Sequence, residues 1–266
     1  VTESQPAGDP PRAVGPTAGD GVIDLLGLLA YAELDAFFRL ASDAALAPSL
    51  ADKAALGGMA VAEFSHFEQI RDELQRVGAD PGQAMQPFTG PLDDFHVRTA
   101  PSDWLESLVK AYVGDGIAAD FYRAVAEVLE PGPRALVLEV LADTGHAQFA
   151  VEHVRAAIAA DPKVAGRLAL WARRLVGEAL GQAQRVAAER PALACLLVPA
   201  PPPSAIAAGP AEGAGPAEGA GSAEGAGPTA SAGSAAGVSQ LGEIGRMFAR
   251  LTDAHAQRMS VLGLSA

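Results

Sequence analysis

Two short strings, Glu63-Phe-Ser-His66 and Asp143-Thr-Gly-His146, each lie within a long stretch of helix-forming residues and each set a carboxylate three positions ahead of an imidazole. On a helix that spacing puts both groups on one face. A further acid precedes each string, Glu33 by 30 residues and Asp115 by 28, so the order is acid, acid-x-x-His, acid, acid-x-x-His. Few folds use such a doubled pattern. It matches a four-helix bundle in which two helices each supply one acid and the other two each supply an acid-x-x-His, all projecting inward around two metal ions. The candidate metal ligands are therefore Glu33, Glu63, His66, Asp115, Asp143 and His146.

The rest of the chain is consistent with an all-α fold. Ala, Leu, Glu, Arg and Gln dominate and aromatics make up only 5% of residues, so the alternating β-branched and aromatic runs that strands need are scarce. A first helix is expected from about Val22 to Ala47, stopping at Pro48, and a second from Ser49, where Ser49 and Asp52 resemble a capping box, to Gly78. The link between them is so short that they must be antiparallel. Residues 81–101, with Pro87, Gly90 and Pro91, show no clear period and are expected to form a long crossover. A second hairpin should follow, from Ser102 to Glu130 and, beyond Pro131-Gly-Pro133, to Ala160.

A fifth helix, Lys163 to Ala194, carries Val164, Leu168, Trp171, Leu175, Ala179 and Val186 on one stripe, as expected for a helix laid against the bundle. The hexapeptide Gly-Pro-Ala-Glu-Gly-Ala at 209–214 recurs at 215–220 and, as Gly-Ser-Ala-Glu-Gly-Ala, at 221–226, which marks a low-complexity linker. The expected organisation is a disordered tail over 1–21, a helical bundle over 22–194, a linker over 195–237 and an amphipathic helix over 238–266. That last helix shows Leu241, Ile244, Phe248, Leu251 and Met259 on one side and docks either on its own bundle or on a second subunit, as in a homodimer.

Charge and cysteine content narrow the setting. The net charge is −13, and between residues 22 and 190 acids outnumber bases 24 to 15, which disfavours nonspecific attraction to a phosphate backbone. A cluster of carboxylates is tolerable where cations neutralise it, and the inferred ligands account for part of the excess. Arg167, Arg173, Arg174 and Arg185 form the one candidate surface for phosphates, against the plainer reading of a solvated helix face. Cys195 is the single cysteine, which fits a reducing compartment. The first twenty residues hold no apolar run of the secretory type, and Val22 to Leu40 is interrupted by Asp24, Glu33, Asp35 and Arg39; the expectation is a cytoplasmic protein with no membrane association.

Oxygen and imidazole donors suit iron, manganese or a similar divalent ion. Asp115 and Asp143 are shorter by one methylene than Glu33 and Glu63, so they reach less far. On the third helix Asp120 rivals Asp115, because its 23-residue distance to Asp143 is symmetric about the Pro131 turn. With Asp115 as ligand, Asp120 becomes a partner that orients an imidazole or an outer water. Glu139 shares the face of Asp143 and His146 and is a reserve ligand. Tyr31, Tyr112 and Tyr122 lie near the ligands, as core fillers or as phenols beside the metals. His96, His153 and His255 have no acid at ligand spacing.

The chain resembles the ferritin-like proteins related to tRNA-isopentenyladenosine hydroxylase, the MiaE-like family, and within it an actinobacterial branch. The resemblance covers about Val22 to Arg190. It is carried by Leu29-Ala-Tyr-Ala-Glu33, Ala62-Glu-Phe-Ser-His-Phe67, Ala111-Tyr-Val-Gly-Asp-Gly-Ile-Ala-Ala-Asp-Phe-Tyr122 and Ala142-Asp-Thr-Gly-His-Ala147. It implies a ferritin-like four-helix bundle with additional C-terminal helices and a non-haem site of two iron ions. The implied activity is that of a di-iron monooxygenase that uses O2 and an electron-donor reductase to hydroxylate an organic substrate, such as a modified tRNA base. The Asp-for-Glu changes depart from the hydroxylase pattern. Two alternatives stand beside this reading: a ferritin-like redox protein that oxidises iron or removes peroxide, and a bundle that has lost its metals.

Overall fold

A computed structural model of the chain describes residues 18–142, 146–196 and 231–264. Among the described residues there are nine α-helices and no strand: α1 (Ala18–Asp43), α2 (Leu50–Arg76), α3 (Pro81–Arg98), α4 (Trp104–Ala126), α5 (Pro131–Val140), α6 (His146–Ala160), α7 (Lys163–Glu189), α8 (Pro191–Leu196) and α9 (Ser231–Leu262). Helix α1 packs most extensively on α2 and also meets α3 and α8, while α4 packs on α6, α7 and α9. No helix among the described residues is long and apolar enough to cross a membrane.

The first hairpin forms as its sequence dictates. A short 3-10 turn over Ala44–Leu46 closes α1, and the Ser49 hydroxyl accepts from the Asp52 amide at 3.1 Å and donates to its carboxylate at 2.7 Å, capping α2. At the start of α4, Asp103 accepts from the Glu106 amide (2.9 Å) while Glu106 reaches back to the amide and hydroxyl of Ser102 (2.9 and 2.6 Å). The same Glu106 binds Arg167 at 2.5 Å, and its carbonyl accepts from Trp171 Nε1 at 2.9 Å, which fastens α7 to α4.

Several expectations need correction. Residues 81–98 form a helix, α3, where the prolines and glycine suggested an irregular crossover. Asp80 caps it by accepting from the Gln83 amide at 2.8 Å, Pro81 occupies its first turn, and Ala84, Phe88 and Pro91 are buried, so packing on α1 and α7 overrides local propensity. The approach to α1 is close: a Cβ on Gly27 would stand 2.2 Å from the Ala84 carbonyl oxygen, so only glycine fits there. The expected single helix up to Ala160 is two, α5 and α6, and the expected fifth helix is likewise α7 followed by the short α8. Helix α1 begins at Ala18 rather than Val22, and α9 at Ser231 rather than Val238.

The core falls into two clusters. One gathers Leu40, Leu56, Ala60, Val109, Val113 and Val154 with Leu168 and Leu175 of α7 and Met259 and Leu262 of α9. The other gathers Leu25, Leu26, Leu29, Ile70, Leu74, Phe88, Val125 and Val137. Along α1 and α2 the switch between clusters falls at Glu33 and at Glu63 and His66, so the candidate ligands occupy a polar layer across the bundle. Helix α9 docks on its own chain, with Leu251 and Met259 buried as its stripe anticipates; the side chains of Leu241 and Ile244 lie outside the described residues.

Candidate metal centre

Five of the six sequence-derived ligands are described, and they come together from four helices. His66 Nδ1 stands 3.4 Å from a Glu33 carboxylate oxygen and 3.5 Å from one of Glu63, and His146 Nδ1 stands 3.1 Å from the other Glu63 oxygen. The donor atoms of Glu33, Glu63 and His66 all lie within 4.8 Å of one another, and so do those of Glu63, Asp115 and His146. Glu63 thus belongs to both groups, with one oxygen toward each imidazole. The sixth candidate, Asp143, lies outside the described residues.

The electrostatics are those of a site that holds protons where cations would fit. Glu33 is pushed well above the usual carboxylate range by burial and by the neighbouring Glu63. For Glu63 burial acts in the same direction, but hydrogen bonds from His146 and His66 win and hold its carboxyl well below that range. Bonds to Glu33 and Glu63 raise His66 to about 10. Burial opposes charge on His146, yet its bond to Glu63 raises it too. Burial and the Glu63 charge push Asp115 up to about 7, although the residue is exposed, lining two cavities that open to solvent. Three carboxylates and two imidazoles form a mixed oxygen and nitrogen donor set that suits iron or manganese. The buried, unpartnered Nε2 of His146 is a further polar atom that the protein alone does not satisfy.

Of the rivals, Asp120 is committed elsewhere: its carboxylate meets Arg258 at 2.5 Å and Arg123 at 3.6 Å, so it orients no imidazole among the described residues. Glu139 is exposed and joins neither group of donors. Tyr112 and Tyr122 line the cavity at the ligands, whereas Tyr31 donates to Asp93 at 2.6 Å. His153 binds Asp52 at 2.8 Å, His96 binds Asp35 at 2.7 Å, and His255 is buried without a partner. The arginines of α7 are largely occupied: Arg167 by Asp103 and Glu106, Arg174 by the Arg98 carbonyl, and Arg185 by Asp94 and Glu189.

Two residues near the site had no signal in the sequence. Arg258, on α9, lines the ligand cavity and crosses Gly116 of α4 so closely that a Cβ there would lie 2.5 Å from its Cδ. Lys110, on α4, is buried among apolar side chains. The ligand cavity has a volume of about 360 Å³. Beside it lies a second cavity of about 260 Å³ with a mainly apolar wall.

The family model described as a ferritin-like domain of actinomycetes matches residues 17–200, more than half of the chain and all four ligand-bearing helices. Among curated proteins, none matches this chain.

Proposed function

The chain belongs to the ferritin-like domain family of actinomycetes, and from that premise we propose that it is a non-haem di-iron hydroxylase acting on an organic substrate. The observation that carries this reading is Glu63, whose two oxygens serve two separate donor groups, as a carboxylate between paired ions must. In this assignment Glu33, Glu63 and His66 would hold one ion, and Glu63, Asp115 and His146 would hold the other. By sequence Asp143 is the sixth candidate, and it lies outside the described residues. Manganese suits the same donors.

When bound, a reduced iron pair supplies O2 activation: one oxygen atom enters a substrate C–H bond, and the other leaves as water with two electrons from an external reductase and two protons. The protein's own part is positioning and exclusion. Burial of Glu33 and Glu63 shields those two carboxylates from bulk water, while Asp115 stays accessible from the cavities. Tyr122, fully enclosed and raised well above the ordinary phenol range by burial, stays protonated and can donate to an oxygen in the ligand cavity.

The resemblance to the MiaE-like family suggests a modified tRNA base as substrate. The commitment of Arg167, Arg174 and Arg185 to partners within the chain supports a smaller molecule instead.

The test is anaerobic reconstitution with ferrous iron. We expect about two ions per chain, as a paired carboxylate site requires, and an oxo-bridge absorption band after air exposure. Glu63→Ala should abolish both. Stoichiometry near zero in the intact chain would overturn the metal assignment. Normal loading and peroxide removal, with no hydroxylated product from any organic substrate, would leave a redox protein of the same fold.

A further inference from the structure

The cavity of about 260 Å³ beside the ligands is bounded by α1, α3, α4, α7 and α9, with Leu40, Phe95, Ile117, Leu180, Phe248 and Leu251 in its wall. Its lining is that of a small-molecule pocket, mostly apolar with a few polar groups, Arg39, Asp43, His96, Lys110, Asp115 and Gln182. It is not separate from the ligand cavity. Ala32, Ala36, Asp115, Ala118 and Tyr122 line both, so the boundary between them is made largely of methyl groups and of one candidate ligand.

The polar group that stands out is Lys110. It is only 7% exposed, lines this cavity and not the other, and makes no hydrogen bond or ion pair among the described residues. Its ammonium lies 5.5 Å from the centre of the Phe95 ring. An unpaired charge in such a place is costly unless something neutralises it. Neither nearby acid forms an ion pair with it: Asp35 is engaged by His96 and Arg39, and Asp43 lines the same cavity without bonding to the ammonium, its charge acting on the lysine only from a distance. Burial lowers Lys110 to about 8, which still leaves it mainly protonated at neutral pH. On α4 it precedes Asp115 by five residues, or about 7.5 Å along the helix axis.

We propose that this cavity is the substrate site and that it takes an apolar carboxylic acid, with the carboxylate on Lys110 and the hydrocarbon body running toward Asp115. The proposal rests on the hydroxylase reading and names its substrate class. An acid held in this way presents a carbon several bonds from its carboxyl group to the ligand cavity. Met247, Phe248 and Leu251 of α9 also line the cavity, so the C-terminal helix takes part in enclosing the substrate.

Isothermal titration of the full chain with decanoate and with decan-1-ol tests this, performed before and after anaerobic ferrous loading. Decanoate should bind at a single site and more tightly than the alcohol. Lys110→Met should weaken decanoate by about tenfold or more, as loss of a buried counterion predicts, and leave decanol unchanged. Lys110→Arg should retain most of the decanoate affinity. Circular dichroism and iron stoichiometry should be the same in all three proteins. Equal binding of acid and alcohol to the wild-type chain, or equal decanoate binding to Lys110→Met, overturns the proposal, as does no binding of either compound. Normal alkyl binding with no iron uptake would instead overturn the metal centre and leave the acid pocket standing.

Discussion

The two halves of the bundle treat their buried charges differently. In α1 and α2 every buried acid is satisfied: Asp24 by Arg190, Asp35 by His96 and Arg39, and Glu33 and Glu63 by His66. In α4 Glu106 is likewise held, by Ser102 and Arg167, but three groups of α4 and α6 are left open. Asp115 faces two cavities, Lys110 has no ion pair, and the Nε2 of His146 is buried without a partner. Saturated charges hold a scaffold in one geometry, whereas unsaturated ones await ligands. The difference leaves the first hairpin's candidate ligands fixed by their neighbours and puts the open groups on the second.

The strongest challenge to that division is Glu63→Ala. Because Glu63 serves both donor groups, iron content should fall from about two ions per chain to near zero, measured by metal analysis of the reconstituted protein. Asp115→Ala should remove only one of them; loss of both would mean that the halves do not act separately.

The next effect concerns stability. The ordinary lysine value is 10.5 and burial lowers Lys110 to about 8. Below pH 8 both folded and unfolded chains hold the proton, and the folded chain bears the desolvation. Between about pH 8 and 10.5 the unfolded chain binds more protons, so stability rises with pH as that cost is relieved. Lys110→Met should therefore be more stable than wild type at pH 7 by about 1 to 3 kcal/mol, with the gap closing by about pH 10.5. Urea denaturation at the two pH values checks this, and a gap independent of pH would show that the ammonium is already neutralised. The smallest effect belongs to the clasp between α7 and α4. Trp171→Phe removes the donor to the Glu106 carbonyl and should cost about 1 kcal/mol without changing iron content.

Much of this was legible in the sequence, and the reasons are specific. Glu33, Glu63, His66, Asp115 and His146 could be singled out because an i, i+3 pair on a helix and an acid one hairpin away are local properties, repeated twice. The helical class followed from composition, and the family match agrees with it. Helix α3 was misread because Pro87, Gly90 and Pro91 are breakers in isolation; their helix exists through burial against α1 and α7, which no local window reports. The division between α5 and α6, where the helix stops at Val140 and Leu141 caps it, also escaped the periodic reading. Lys110 and Arg258 carry no motif at all. Their roles depend on which surfaces α3, α7 and α9 bring to α4, and that is decided by tertiary packing.

The polar layer across the bundle also bears on how the molecule opens. Apolar packing continues above and below it but not through it, so the waist is joined mainly by charged groups. Stripped of cations, the chain should breathe there first: amides flanking Glu33 and Glu63 should exchange with solvent well before those beside Leu26, Leu74 or Val154. Ion uptake would then act as a girdle, slowing that exchange and coupling the two ends into one mechanical unit.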